Sequence, residues 1–146
     1  MIRRQRKQQG FTLVELVVVI VVLGILAAVA IPRYVSYTTD ARVAAMNGLA
    51  SALRSSVMLV QGRYQATGNL TATSVTLSDG SNVTVSAGAN GGIPTMAAAG
   101  IEAAVRQEGF TFVPATGVWN FASGAVAGCN VTYTAAGAVN VVSGSC

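Results

Sequence analysis

Gly10-Phe11-Thr12-Leu13-Val14-Glu15 opens an apolar stretch that continues to Ile31 and stops at Pro32. From Leu16 to Ile31 no side chain is charged or polar. As a helix rising 1.5 Å per residue, Phe11 to Ile31 would reach roughly 31 Å, close to the hydrocarbon thickness of a bilayer. Glu15 is the anomaly in it. A carboxylate at the centre of a membrane helix costs about 2.5–3.5 kcal/mol on insertion scales, and less near an end. Glu15 therefore either sits among headgroups or has a partner, which marks it as a candidate functional residue.

Upstream of this stretch, Arg3, Arg4, Arg6 and Lys7 form a short basic head, which places the N-terminal side of the helix toward the cytoplasm. The head also accounts for the whole net charge of +4. Beyond Gly10, Arg33, Arg42, Arg54, Arg63 and Arg106 balance Glu15, Asp40, Asp79, Glu102 and Glu108. The basic pI is thus a property of the leader, and no nucleic-acid surface is expected. Two ordinary readings fit the N-terminus at this level. One is a secretory signal cut near Ala27-Ala28-Val29-Ala30, and the other is a simple membrane anchor.

Downstream, Gly24 and Pro32 are the positions where a helix would weaken, because glycine has low propensity and proline removes a donor. The helical pattern then resumes. Met46, Leu49, Leu53, Val57 and Val60 recur at three- and four-residue steps and form one apolar stripe. The reading is one long helix from about Phe11 to about Arg63, in an apolar half 11–32 and an amphipathic half 33–63, with Gly62 near its end.

Residues 64–146 read as a β-rich head. Val75, Leu77, Val83 and Val85 alternate around Asp79-Gly80, a favoured hairpin turn. Met96 to Gln107 suggests a short helix with Thr95 as N-cap and Gly109 as its end. Phe110, Phe112, Trp119 and Phe121 alternate in two strands joined around Pro114–Gly117, as sheet core. Two further strands, 129–134 and 138–142, flank Ala136-Gly137. The chain has two cysteines and no histidine. In an exported chain Cys129 and Cys146 read as one disulfide closing 129–146, and metal ligation would need more ligands. Asp79 has no companion carboxylate for calcium. No metal, cofactor or catalytic residue is expected. Three Asn-x-Thr triplets begin at Asn69, Asn82 and Asn130, in a chain rich in both residues.

The run Gly10 to Pro32, with a basic leader ending in glycine, then phenylalanine, then glutamate as the fifth residue after the glycine, resembles the N-terminus of bacterial type IV pilins and pseudopilins. Asp40-Ala41-Arg42, Gly92 to Thr95, Gly100 to Ala104 and Gly128 to Ala136 with Cys146 are similar to the mannose-sensitive haemagglutinin (MSHA) pilins. Gln9 departs from the motif, where many prepilins carry a basic residue. The resemblance implies an α+β pilin fold, with a long N-terminal helix packed on a C-terminal antiparallel sheet. It implies that residues 1–10 are a leader, that a prepilin peptidase cuts between Gly10 and Phe11, and that the same enzyme methylates the new Phe11 amine. It implies a structural role rather than an enzymatic one: the major subunit of a surface filament for adhesion or motility, held in the inner membrane before assembly by a pilus ATPase and platform protein. It also implies a loosened Gly24–Pro32 segment in the filament. The alternative within the same resemblance is a pseudopilin of type II secretion. Cleavage would put a cationic amine beside Glu15, and pairing between neighbouring subunits would lower the cost of both buried charges.

Overall fold

The computed structural model describes residues 10–89 and 91–146, with the backbone alone for residues 30–36. The leader residues 1–9 and the Pro32 side chain lie outside that description. The fold is α+β: one long helix followed by antiparallel β-structure. The chain forms two compact units, one ending at Thr38 and the other running from Thr39 to Cys146.

Helix α1 spans Leu13–Thr67. It does not stop at Gly62 or Arg63 as the sequence suggests. The tertiary reason is Tyr64, which is fully buried and holds the next helical turn in place. Its hydroxyl donates to the Leu70 carbonyl at 2.6 Å and accepts from the Gly88 amide at 3.1 Å. The helix ends where Gly68 turns to φ +68° and its amide closes on the Gln65 carbonyl at 3.1 Å.

In the second unit, β1 (Ser74–Thr76) and β2 (Asn82–Thr84) pair antiparallel around the Asp79-Gly80 turn. The segment Ala98–Glu102 forms a single wide helical turn, α2. The longer helix expected over 96–107 is broken at Gly100 (φ −99°, ψ −109°), where a β-carbon would run into Thr95. Thr95 does not cap this turn. Its hydroxyl meets that of Thr84 at 2.7 Å and ties α2 to the hairpin.

Strands β3 (Phe110–Val113), β4 (Val118–Phe121), β5 (Asn130–Tyr133) and β6 (Val139–Val142) form an antiparallel meander in sequence order. The register sets Phe110 opposite Phe121 and Phe112 opposite Trp119. The latter two rings stack at 4.7 Å between centroids. The stripe Met46, Leu49, Leu53, Val57 packs with Phe112, Trp119, Val131 and Tyr133. A second cluster joins Val60 and Tyr64 to Val75, Val83 and Val85. Burying a side chain of this size contributes roughly 1.5–3 kcal/mol, so the stripe ties the helix firmly to the head.

Gly92 is a backbone position with little latitude, beside the buried Tyr64 ring. Its φ is +84°, and a β-carbon would come within 2.7 Å of Tyr64 Cβ. Gly92→Ala is expected to cost about 2–4 kcal/mol, combining left-handed strain with displacement of a buried ring. Chemical unfolding of the full chain in detergent measures this, and an unchanged midpoint would contradict it.

Tyr133 supplies a pH test of the core. Burial pushes its phenol up to about 12. The hydroxyl donates to the Pro94 carbonyl at 2.7 Å. The folded state thus holds the proton where an unfolded tyrosine, with a pKa of about 10, would release it. The corresponding stability is intact below about pH 10 and is lost as pH rises toward 12. A pH titration of the unfolding midpoint should fall in that window. Tyr133→Phe should lower the starting stability and remove that component of the fall.

Candidate functional site

The N-terminal junction is built from backbone outside the helix. Gly10, Phe11 and Thr12 precede the first helical residue, Leu13, and Phe11 is 90% exposed. The Gly10–Phe11 peptide bond therefore lies in open, non-helical chain.

Thr12 and Glu15 cap the helix reciprocally. The Thr12 hydroxyl accepts from the Glu15 amide at 3.3 Å, and Glu15 Oε2 accepts from the Thr12 amide at 3.1 Å and the Thr12 hydroxyl at 3.0 Å. This is a capping box, and its signature, Thr-x-x-Glu, is readable in the sequence, beside the two readings of Glu15 as solvated among headgroups or paired with a cation. Two consequences follow. The carboxylate stands in the first turn, where the helix dipole favours an anion. A cationic amine created at Phe11 would sit at the same end, where the dipole disfavours it, so the amine needs an acidic neighbour more than a solvent-exposed amine would.

Beyond the junction the helix presents apolar side chains all round. The large hydrophobics from Phe11 to Val29 are 43–90% exposed within the chain. Leu13–Val29 is an apolar helical stretch whose one charged residue is Glu15. Gly24 lies within it, in helical conformation, with nothing in the subunit within 4 Å of where a β-carbon would be. Packing inside the subunit thus gives no reason for glycine there. Among the described residues the segment Tyr37–Thr67 is long and apolar enough to cross a membrane by length and composition, but 33% of its most apolar window is buried inside the chain, where it serves as the core helix of the head.

The polar side of α1 grips the head in a way the periodicity does not reveal. Arg42 Nη1 donates to the Cys146 carbonyl at 3.4 Å, joined there by the Thr39 hydroxyl at 3.3 Å. Arg54 Nη2 donates to the Val139 carbonyl at 3.0 Å, and Arg63 Nε to the Thr76 carbonyl at 3.4 Å. Cys129 and Cys146 form the disulfide, with Cα atoms 5.0 Å apart. The Ser81 hydroxyl and amide beside Asp79 hold its carboxyl below the usual carboxylate range, and Arg106 stands 3.6 Å from it. Among the described residues no three histidine, cysteine or acidic side chains come together to hold a metal ion. Asn69 and Asn82 are exposed, whereas Asn130 has a buried Oδ1 without a hydrogen-bond partner.

Residues 5–31 match the family model described as the prokaryotic N-terminal methylation motif. The chain is 49% identical over 49 residues to the type IV narrow pilus major component of Thermus thermophilus, covering 34% of this chain and 42% of that protein. It is 48% identical over 50 residues to a fimbrial protein of Moraxella nonliquefaciens, covering 34% and 32%. It is 52% identical over 50 residues to a type IV major pilin of Neisseria gonorrhoeae, covering 34% and 30%. The similarity therefore spans less than half the length of each of these curated relatives. No solved structure matches the chain. The chain carries the N-terminal methylation motif over residues 5–31 and, over 34% of its length, is similar to major subunits of type IV pili.

Proposed function

We propose that this chain is the major subunit of a type IV pilus of the MSHA kind, a structural protein that a prepilin peptidase cuts between Gly10 and Phe11 and methylates at Phe11. The observation that carries the proposal is the all-round exposure of apolar residues from Phe11 to Val29, directly behind a methylation motif. A single chain can cover that surface only with lipid or with other copies of itself, and both environments are apolar. The subunit waits in the inner membrane and is then moved by an assembly ATPase and platform protein into a helical homo-oligomer. There Glu15 pairs with the Phe11 amine of a neighbour, and the stretch between Gly24 and Pro32 loosens. The absence of any packing demand for glycine at position 24 supports that last point, because its low helix propensity is then its physical effect. The head would face outward and mediate attachment, with motility as a further role.

Mass spectrometry of sheared surface filaments tests the reading. Fibres whose subunit starts at a methylated Phe11 are the expected result. Absence of the processed chain from surface fibres, with protein secretion lost on its deletion, would move the assignment to a type II secretion pseudopilin.

A further inference from the structure

We propose that the groove around Arg63 is a binding site for the carboxylate of an acidic saccharide, such as a uronic acid unit. Two hollows, of about 180 and 320 Å³, share Arg63 as a wall at the C-terminal end of α1. The smaller has an apolar side made by Leu59 and Leu77, with Ser78 at its rim. The larger is lined by the hydroxyl-bearing Thr67, Ser74 and Thr76 and by Asn69. Among the described residues Arg63 is the only charged one lining either hollow.

The chemistry selects the ligand. Arg63 Nε donates to the Thr76 carbonyl at 3.4 Å, which draws the guanidinium toward β1. Among the described residues no acid forms an ion pair with it; Asp79, which adjoins Ser78 in sequence, is engaged by Ser81 and Arg106. A guanidinium meets a carboxylate through parallel N–H donors, and a single one suits a monoanion. A phosphate, carrying more charge, would call for a second cation or a nest of backbone amides, and the lining offers neither a lysine nor another arginine. Neutral hydroxyl and amide groups match sugar hydroxyls, and Leu59 with Leu77 offers an apolar surface to the C–H face of a ring. The groove is open, so single-site binding is weak. A fibre repeating it at every subunit would gain by multivalency. The site is a property of the head and does not depend on the pilus reading, which supplies only its setting.

The experiment is an NMR titration of the full processed chain in detergent micelles with tri-galacturonate, and with neutral maltotriose as the comparison. Saturable shifts confined to Arg63 and to Ser74, Thr76 and Ser78 are expected, with maltotriose inert. Arg63→Gln should weaken binding about tenfold or more, as expected for loss of a charge-assisted pair. Arg42→Gln, which removes another exposed cation about six turns earlier on α1, should leave it unchanged. The proposal is overturned if no shifts saturate, if maltotriose binds as tightly, or if both arginine variants bind alike. Because dispersed subunits are measured, a failure to find fibres would sink the pilus assignment and leave this result standing.

Discussion

Glu15→Ala is expected to leave membrane insertion and processing intact while reducing surface filaments to a small fraction of the normal yield. Removing the acid makes the apolar segment easier to insert, so the membrane pool should persist. In the assembled fibre the same change would leave the Phe11 amine buried and unpaired, which destabilises by roughly 3–5 kcal/mol per subunit contact. The variant also loses the Glu15 half of the capping box, while the Thr12 hydroxyl still accepts from the amide of residue 15. Thr12→Val separates the two effects, because it removes the hydroxyl that bonds Glu15 but keeps the charge. Filament yield should fall much less in Thr12→Val than in Glu15→Ala. Immunoblots of membrane and sheared fractions, with the subunit mass for processing, provide the measurement. Normal pili from the Glu15→Ala strain would end the charge-pairing account.

Loss of the disulfide has the second largest expected effect, and it acts on the head. Cys129 and Cys146 are separated by 17 residues, and closing a loop of that size removes about 3 kcal/mol of unfolded-state entropy in the chain model. The bond also positions the Cys146 carbonyl that accepts from Thr39 and Arg42, so its loss loosens the hold on the helix where the second unit begins. A Cys129→Ala, Cys146→Ser chain should unfold in urea at a midpoint lower by about 1–3 M than the oxidised chain, given slopes of 1–3 kcal/mol per molar. Alanine is chosen at position 129 because the site is fully buried and a hydroxyl there would lack a partner. Equal midpoints for the oxidised and variant chains would refute a stabilising role.

The helix boundary shows how sequence and structure divided the information. The stripe from Met46 to Val60 was legible because a 3.6-residue period is local, and every member is buried in the core as expected. The end of the helix was not legible. Gly62 looked like a stop, yet Tyr64, two residues later, is locked by a loop some 24 residues away, and that long-range bond carries the helix to Thr67. The same holds for Gly100, whose contact with Thr95 breaks the expected helix over 96–107. At the N-terminal site the sequence identified Gly10, Phe11 and Glu15 by type and spacing. The reciprocal cap between Thr12 and Glu15 is carried by that spacing too, a local role for the carboxylate beside solvation among headgroups or pairing with a cation.

By itself, then, the sequence determined everything that depends on period, spacing and composition: the apolar run 11–31, the amphipathic stripe, the Asp79-Gly80 hairpin, the alternating aromatics and the single cysteine pair. These are local or pairwise properties, and each residue carries its own share of them. Only the tertiary structure decided where α1 stops, how Arg42, Arg54 and Arg63 reach backbone carbonyls of the head, and that Arg63 is left lining a hydroxyl-bearing groove. Those outcomes depend on which distant segments come to lie against the helix, and no window of sequence contains both partners.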